Sequence, residues 1–190
     1  ALWASALPAV EQMEPYFESV GSIESIPDNN VSALAQDAAG FLWIGTPDGL
    51  IRYDGYRFRH FDNDPDDVDS LGGDFVRSLL AARDGRLWVG TNADGVTVLD
   101  PDSGHIERYR ERADAAGGLS NNSVRALAED ADGGIWIGTR RGLDYWDPRT
   151  RQLRHHRNRL GAGTSPDDDQ IMALQIDAVG DLWIGSWNGL

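Results

Sequence analysis

The side chains best equipped for chemistry here are carboxylates and a few histidines, and their spacing decides what they can do. Asp62, Asp64, Asp66, Asp67 and Asp69 alternate as hard-cation ligands would in a calcium loop. That loop requires glycine at its sixth position and glutamate at its twelfth, where this chain has Asp67 and Gly73. The segment therefore reads as a solvated acidic turn, and Pro166-Asp167-Asp168-Asp169 reads the same way. His155 and His156 are adjacent, so on a strand they point to opposite faces and do not chelate one ion together. There is no cysteine, which excludes disulfides, thiolate metal sites and a cysteine nucleophile. Neither a glycine-rich phosphate loop nor a Ser-His-Asp spacing is evident. No catalytic residue, metal site or cofactor is assigned.

Composition narrows the partners. The 190 residues carry a net charge of −14, the wrong sign for a nucleic-acid surface or an anionic membrane leaflet. A hydrophobic content of 41% and a charged content of 25% fit an ordinary soluble globular chain, and no apolar run approaches the ~20 residues of a membrane span. Twenty-two glycines and seven tryptophans against two methionines predict short strands joined by tight turns. At the start, Ala4-Ser5-Ala6 has the form of a secretory cleavage site, while the same residues also read as an Ala-rich end. Residues 1–15 are accordingly set aside as a lead.

An internal repeat organises the remainder. Segments beginning at Val31, Val76, Val124 and Ile171 read VSALAQDAAGFLWIGT, VRSLLAARDGRLWVGT, VRALAEDADGGIWIGT and IMALQIDAVGDLWIGS. Trp43, Trp88, Trp136 and Trp183 each follow the leading residue by 12 positions, and Gly45, Gly90, Gly138 and Gly185 form a second column. Each unit predicts a strand, a glycine turn, and then a second strand whose consecutive apolar residues require cover on both faces. A third strand ends at Tyr53-Asp54, Leu99-Asp100 or Trp146-Asp147, and RFRHF, HIERY and QLRHH supply a fourth. Four antiparallel strands per ~46 residues is one propeller blade.

The expected fold is all-β: a β-propeller fragment of about three and a half blades. Small residues Ala33, Ser78, Ala126 and Ala173 lie on the strand nearest the axis, and the tryptophans fill the widening gap between blades. Residues 16–27 are expected to supply a strand of the ring-closing blade, with Phe17 placed as Phe61 is before the next unit. Blades then follow at 28–73, 74–121 and 122–169, with the first half of a fourth at 170–190.

The motif D-x-x-G-x-L-W-I-G-T-x-x-G-L-x-x-Y-D, carried by Asp37 through Asp54, closely resembles the two-component regulator propeller repeat. The third unit repeats it from Asp130 to Asp147, while the second departs with Ala82 for aspartate, one inserted residue and Leu99 for the aromatic. The resemblance implies a seven-bladed ring in the periplasmic part of a membrane-bound, homodimeric receptor. A histidine kinase or diguanylate cyclase would follow a membrane helix downstream, the only link to the membrane. Closure by one chain would give four blades and by two chains about eight; the reading adopted is that the other blades lie outside these residues.

Binding is then the expected function, with no enzyme activity in this chain. One face of such a ring carries the loops between second and third strands and those between blades. These hold Asp48, Asn92, Asp94, Arg140, Arg141, Trp187 and Asn188, together with Pro47, Asn29-Asn30, Asn121-Asn122 and Asp168-Asp169. They vary between units while the strands do not. A tryptophan beside an amide and arginines suits a sugar or a carboxylate, and the resemblance makes an unidentified small ligand, an oligosaccharide by analogy, the expected partner. Trp187 reads equally as packing for a further blade, and Arg140-Arg141 as solvated turn residues. The alternative function is a propeller scaffold for protein–protein contacts without signalling output.

Overall fold

A computed structural model of the chain describes residues 17–22, 25–26, 30–112, 117–156, 170–187 and 189. Among them the strands fall into four antiparallel meanders. The first comprises β1 (Ala33–Gln36), β2 (Leu42–Thr46), β3 (Gly49–Tyr53) and β4 (Phe58–Phe61). The second comprises β5 (Val76–Ala81), β6 (Leu87–Thr91), β7 (Val96–Leu99) and β8 (Ile106–Tyr109). The third comprises β9 (Val124–Glu129), β10 (Ile135–Thr139), β11 (Gly142–Asp147) and β12 (Gln152–His156). β13 (Ile171–Ile176) and β14 (Leu182–Ser186) form a two-stranded fourth sheet. The first strands sit side by side, β1 against β5, β5 against β9 and β9 against β13, so the sheets converge on that edge as propeller blades do. About three and a half blades are present.

In the first, third and fourth sheets the hairpin between first and second strands is set by an aspartate and a glycine. Asp37 Oδ1 accepts the N–H groups of Ala39 and Phe41 at 3.0 Å each, and Gly40 takes φ +90°, which costs a glycine nothing. The other carboxylate oxygen then takes the indole N–H of Trp43 at 2.7 Å. Asp177 does the same for Trp183 at 2.9 Å. In blade 3, Asp130 Oδ2 accepts instead from the hydroxyl of Tyr145 at 3.0 Å. Burial foremost, with that bond, pushes the Tyr145 phenol up to about 12. In blade 2 the position is Ala82, and the buried indole N–H of Trp88 has no hydrogen-bond partner among the described residues.

The blades lock through the second glycine column. A Cβ on Gly45 would meet Val76 Cγ1 at 2.6 Å, one on Gly90 would meet Val124 Cγ1 at 2.7 Å, and one on Gly138 would meet Ile171 Cγ2 at 2.5 Å. The leading β-branched residue of each unit thus nests against the glycine of the preceding blade. Val31 has no such seat: it is 43% exposed, and the strand expected to begin there starts at Ala33. The tryptophans follow the same logic. Trp43 and Trp88 are fully buried by the blade ahead, Trp136 is half-buried beside Tyr145 and His156 of its own blade, and Trp183 is 50% exposed. The expectation that all four fill a gap between blades therefore holds for the first two and fails for Trp183, which lacks a facing sheet among the described residues.

The strand expected within 16–27 is not formed by its described part. Residues 17–22 pair with no sheet and Phe17 is exposed, because an extended segment without a ladder partner leaves its backbone groups to water. Ser22 and Ser25 instead close a short turn, Ser25 N–H to Ser22 O at 3.0 Å. The lead 1–15 and Tyr16 lie outside the described residues.

Candidate functional site

Meandering strands put the β2–β3, β6–β7, β10–β11 and β13-side loops on one face, called upper below, and the remaining hairpins on the other. The upper turns share one construction. Thr46, Thr91, Thr139 and Ser186 each donate a hydroxyl hydrogen bond to the carbonyl of Gly49, Gly95, Gly142 and Gly189, at 2.9–3.0 Å. The same hydroxyls of Thr46, Thr91 and Thr139 accept the backbone N–H of Asp48, Asp94 and Arg141 at 3.1, 2.8 and 3.1 Å. The N–H groups of Asn92, Arg140 and Trp187 donate to the carbonyls of Phe75, Ser123 and Gln170, which ties these three turns to the loops entering their own blades. Pro47, at the equivalent place in the first, has no N–H to give.

This scaffold distributes the predicted residues unevenly. Asp48 and Asn92 are exposed on their turns, and Asp94 lies against Gly73, where a Cβ would strike its carboxylate. Arg141 reaches Glu111 at 3.8 Å, while Trp187 is 67% exposed with its ring outward. Asn188, like Asn29, Asp168 and Asp169, lies outside the described residues. Arg140 lies near enough to Arg125 for its charge to act on that residue. The acidic loop at 62–69 is organised by its own turns: Asp64 Oδ1 accepts from the N–H of Asp66, and Asp67 Oδ1 from that of Asp69. No three metal-ligating side chains converge among the described residues.

The cavity, about 360 Å³, opens at the upper end of the first strands. Its wall is the second residue of each unit: Ser32, Arg77, Arg125 and Met172, joined by Asn30, Pro47 and Phe75. These side chains meet because the strand bulges there. Val76 opposes Thr91 and Ser78 opposes Gly90, leaving Arg77 as the extra residue; Arg125 and Met172 stand in the same relation in β9 and β13. A bulge re-aims one side chain out of the sheet's alternation, here toward the shared cavity. Arg125 donates from Nη1 to Met172 Sδ at 2.6 Å, and its buried Nε has no partner. Burial, followed by the charges of Arg77 and Arg140, pushes Arg125 below the usual arginine value.

A second cleft of about 390 Å³ lies on the lower face between blades 2 and 3. Its charges answer one another. Arg86 pairs with Asp84 at 2.7 Å and lies 4.8 Å above the Trp146 ring, and Arg151 pairs with Glu107. Glu107 also accepts from the Tyr109 hydroxyl at 3.0 Å, which in turn accepts the Trp146 indole N–H at 3.0 Å. Burial alone would raise the Glu107 carboxyl, but the Arg151 and Tyr109 hydrogen bonds with the Arg151 and Arg86 charges hold it below the usual range.

A further constellation was not foreseen. Asp144, fully buried, accepts from the Ser120 N–H and hydroxyl at 2.9 Å each and sits 2.7 Å from His155 Nδ1. Here the aspartate stands between serine and histidine, so the histidine cannot take the serine proton and the order is wrong for a nucleophilic triad. Its role is to hold the loop entering blade 3, as Thr97 Oγ1 holds the Gly72 N–H at 3.0 Å in blade 2.

This geometry defines a β-propeller fragment with packed seams between blades and a cavity at its upper face. Its repeats are similar to two component regulator propeller repeats: the model of that family matches residues 25–48, 70–93 and 118–141. A histidine kinase from Formosa agariphila is 38% identical over 55 residues, 29% of this chain and 4% of the relative. The extracellular domain of a hybrid two component system from B. thetaiotaomicron superposes with a TM-score of 0.79 at 25% identity, over 90% of this chain and 24% of that one. Virginiamycin B lyase from Staphylococcus aureus superposes at 0.64 with 15% identity, over 85% of this chain and 50% of the lyase, a likeness of fold alone. The chain thus spans a small part of the signalling relatives that it matches.

Arg77 and Arg125 are the site residues that sequence reasoning missed. The signal available was the second column of the repeat, which reads Ser, Arg, Arg, Met inside an otherwise uniform motif.

Proposed function

We propose that this chain is part of the extracytoplasmic, ligand-sensing propeller of a membrane-bound signalling receptor, with its ligand taken at the upper face. The observation that carries this reading is the pairing of two-component regulator propeller repeats with an upper cavity whose arginines have no carboxylate partners among the described residues. A scaffold alone has no need to gather like charges into a cavity. Binding would stabilise one arrangement of a receptor homodimer, and membrane helices would relay that shift to a histidine kinase or diguanylate cyclase. In this reading the propeller lies in the periplasm, and the extracellular domains it resembles support an extracytoplasmic position. The propeller itself performs no catalysis; lyases share the fold, and fold does not decide activity.

Reading the encoding gene onward from residue 190 tests this. Further blades, a membrane helix and a kinase or cyclase are expected. A stop codon within a few residues would overturn the sensor reading and favour a scaffold.

A further inference from the structure

We infer that the upper cavity is a receptor site for a small organic oxyanion, a carboxylate or a sulfate ester, gripped between Arg77 and Arg125. The inference rests on the sensor reading and names the chemistry of its ligand. Three arginines, Arg77, Arg125 and Arg140, gather at one end of a chain whose net charge is −14. None of them pairs with a carboxylate among the described residues; Arg83, Arg86, Arg141, Arg149, Arg151 and Arg154 do. Arg108 and Arg110, also without an acid, donate to the carbonyls of Ser70 and Gly72, while Arg52 and Arg59 lie over aromatic rings.

The clustering is costly and repeated. Like charges at partly buried positions repel and lose water, and Arg125 is left with a buried Nε and a thioether as its one side-chain partner. Two successive blades carry an arginine on the same bulge, so the fold aims both guanidinium groups at one space. A planar guanidinium fork matches the two oxygens of a carboxylate or sulfate, and a bound anion would cancel the repulsion. Ser32 and Asn30 add polar contacts at the rim, and the Phe75 ring, 39% exposed, offers an apolar wall for the body of the ligand.

Calorimetry on the purified chain with galacturonate, galactose and inorganic sulfate tests the inference. Galacturonate and galactose differ at one carboxylate, so galacturonate should bind at least about tenfold more tightly, and binding should weaken with salt. Sulfate bound more tightly than galacturonate assigns the ester class, and the reverse assigns the carboxylate class. The R77Q/R125Q double variant should lose at least about tenfold in affinity, R77K/R125K should recover part of it, and R59Q, on the outer strand β4, should change nothing. Tryptophan near-ultraviolet circular dichroism establishes that each variant is folded. Equal affinity for galactose and galacturonate, retained affinity in R77Q/R125Q, or no binding of either anion at millimolar concentration would overturn the inference. A phosphorylation or cyclase reporter on the full receptor separates the two readings. Anion binding without output supports the site and removes the sensor reading. Output driven through unaltered R77Q/R125Q keeps the sensor and removes the site.

Discussion

The two clefts are nearly equal in size, about 390 Å³ below and 360 Å³ above, yet their charges are handled in opposite ways. Below, Arg86 and Arg151 meet Asp84 and Glu107, and the tryptophans of two neighbouring blades pack edge to face at 5.1 Å. Above, Arg77 and Arg125 meet no acid among the described residues. The lower cleft is the outer margin of a seam that folding completes by itself. The upper one is left without acidic partners by the described residues, and an incomplete electrostatic site is where a ligand contributes. The comparison teaches that cavity volume does not discriminate a binding site from a seam; unmet charge does.

The comparison breaks most severely at the seam core. Trp88 is fully buried against Tyr109 and Trp146, so Trp88→Ala should cost about 3–5 kcal/mol in urea unfolding. The glycine column gives the next largest effect. Gly90→Ala would drive a methyl into Ser78 and Val124 and should destabilise by about 1–3 kcal/mol. Gly185→Ala meets only Ala173 of the paired strand, at 3.4 Å, and should stay within about 0.5 kcal/mol. Equal losses at the two positions would contradict the nesting of one blade on the glycine of the previous one.

Ala82→Asp restores the carboxylate that other units place beside the tryptophan. It should stabilise by about 1 kcal/mol, visible as a higher urea midpoint, by giving the Trp88 N–H an acceptor. The smallest effect belongs to Glu107. Its folded-state carboxyl lies below the usual value, so the unfolded chain binds a proton more readily. The contribution is present above the unfolded value near 4.5 and is lost as pH falls through the lower folded value. Glu107→Gln should therefore lower stability slightly at pH 7, by well under about 1 kcal/mol for this partly exposed pair, and flatten the acid limb so that the two profiles converge near about pH 3.

Most of the fold was legible because a repeat states its own constraints several times over. The tryptophan spacing and the second glycine column correspond to contacts between adjacent blades, and the turn glycines to positive φ within each blade. What failed were the ends of that pattern. Val31, Phe17 and Trp183 carry the sequence marks of buried positions, but burial there depends on a neighbouring sheet that the motif does not contain. The candidate site was less legible. The variable turn residues drew attention to Arg140, yet the cavity wall belongs to Arg77 and Arg125, which alternation would place like any other strand residue. A bulge redirects them, and a bulge has no signature in a four-residue run such as VRSL or VRAL.

The most direct measurement is a crystal of the chain soaked in selenate, with the anomalous difference density of selenium located. The account predicts a peak between the guanidinium groups of Arg77 and Arg125 in the upper cavity, and none in the lower cleft where Arg86 and Arg151 are already paired. A peak beside Arg86 or Arg151 with the upper cavity empty would contradict it.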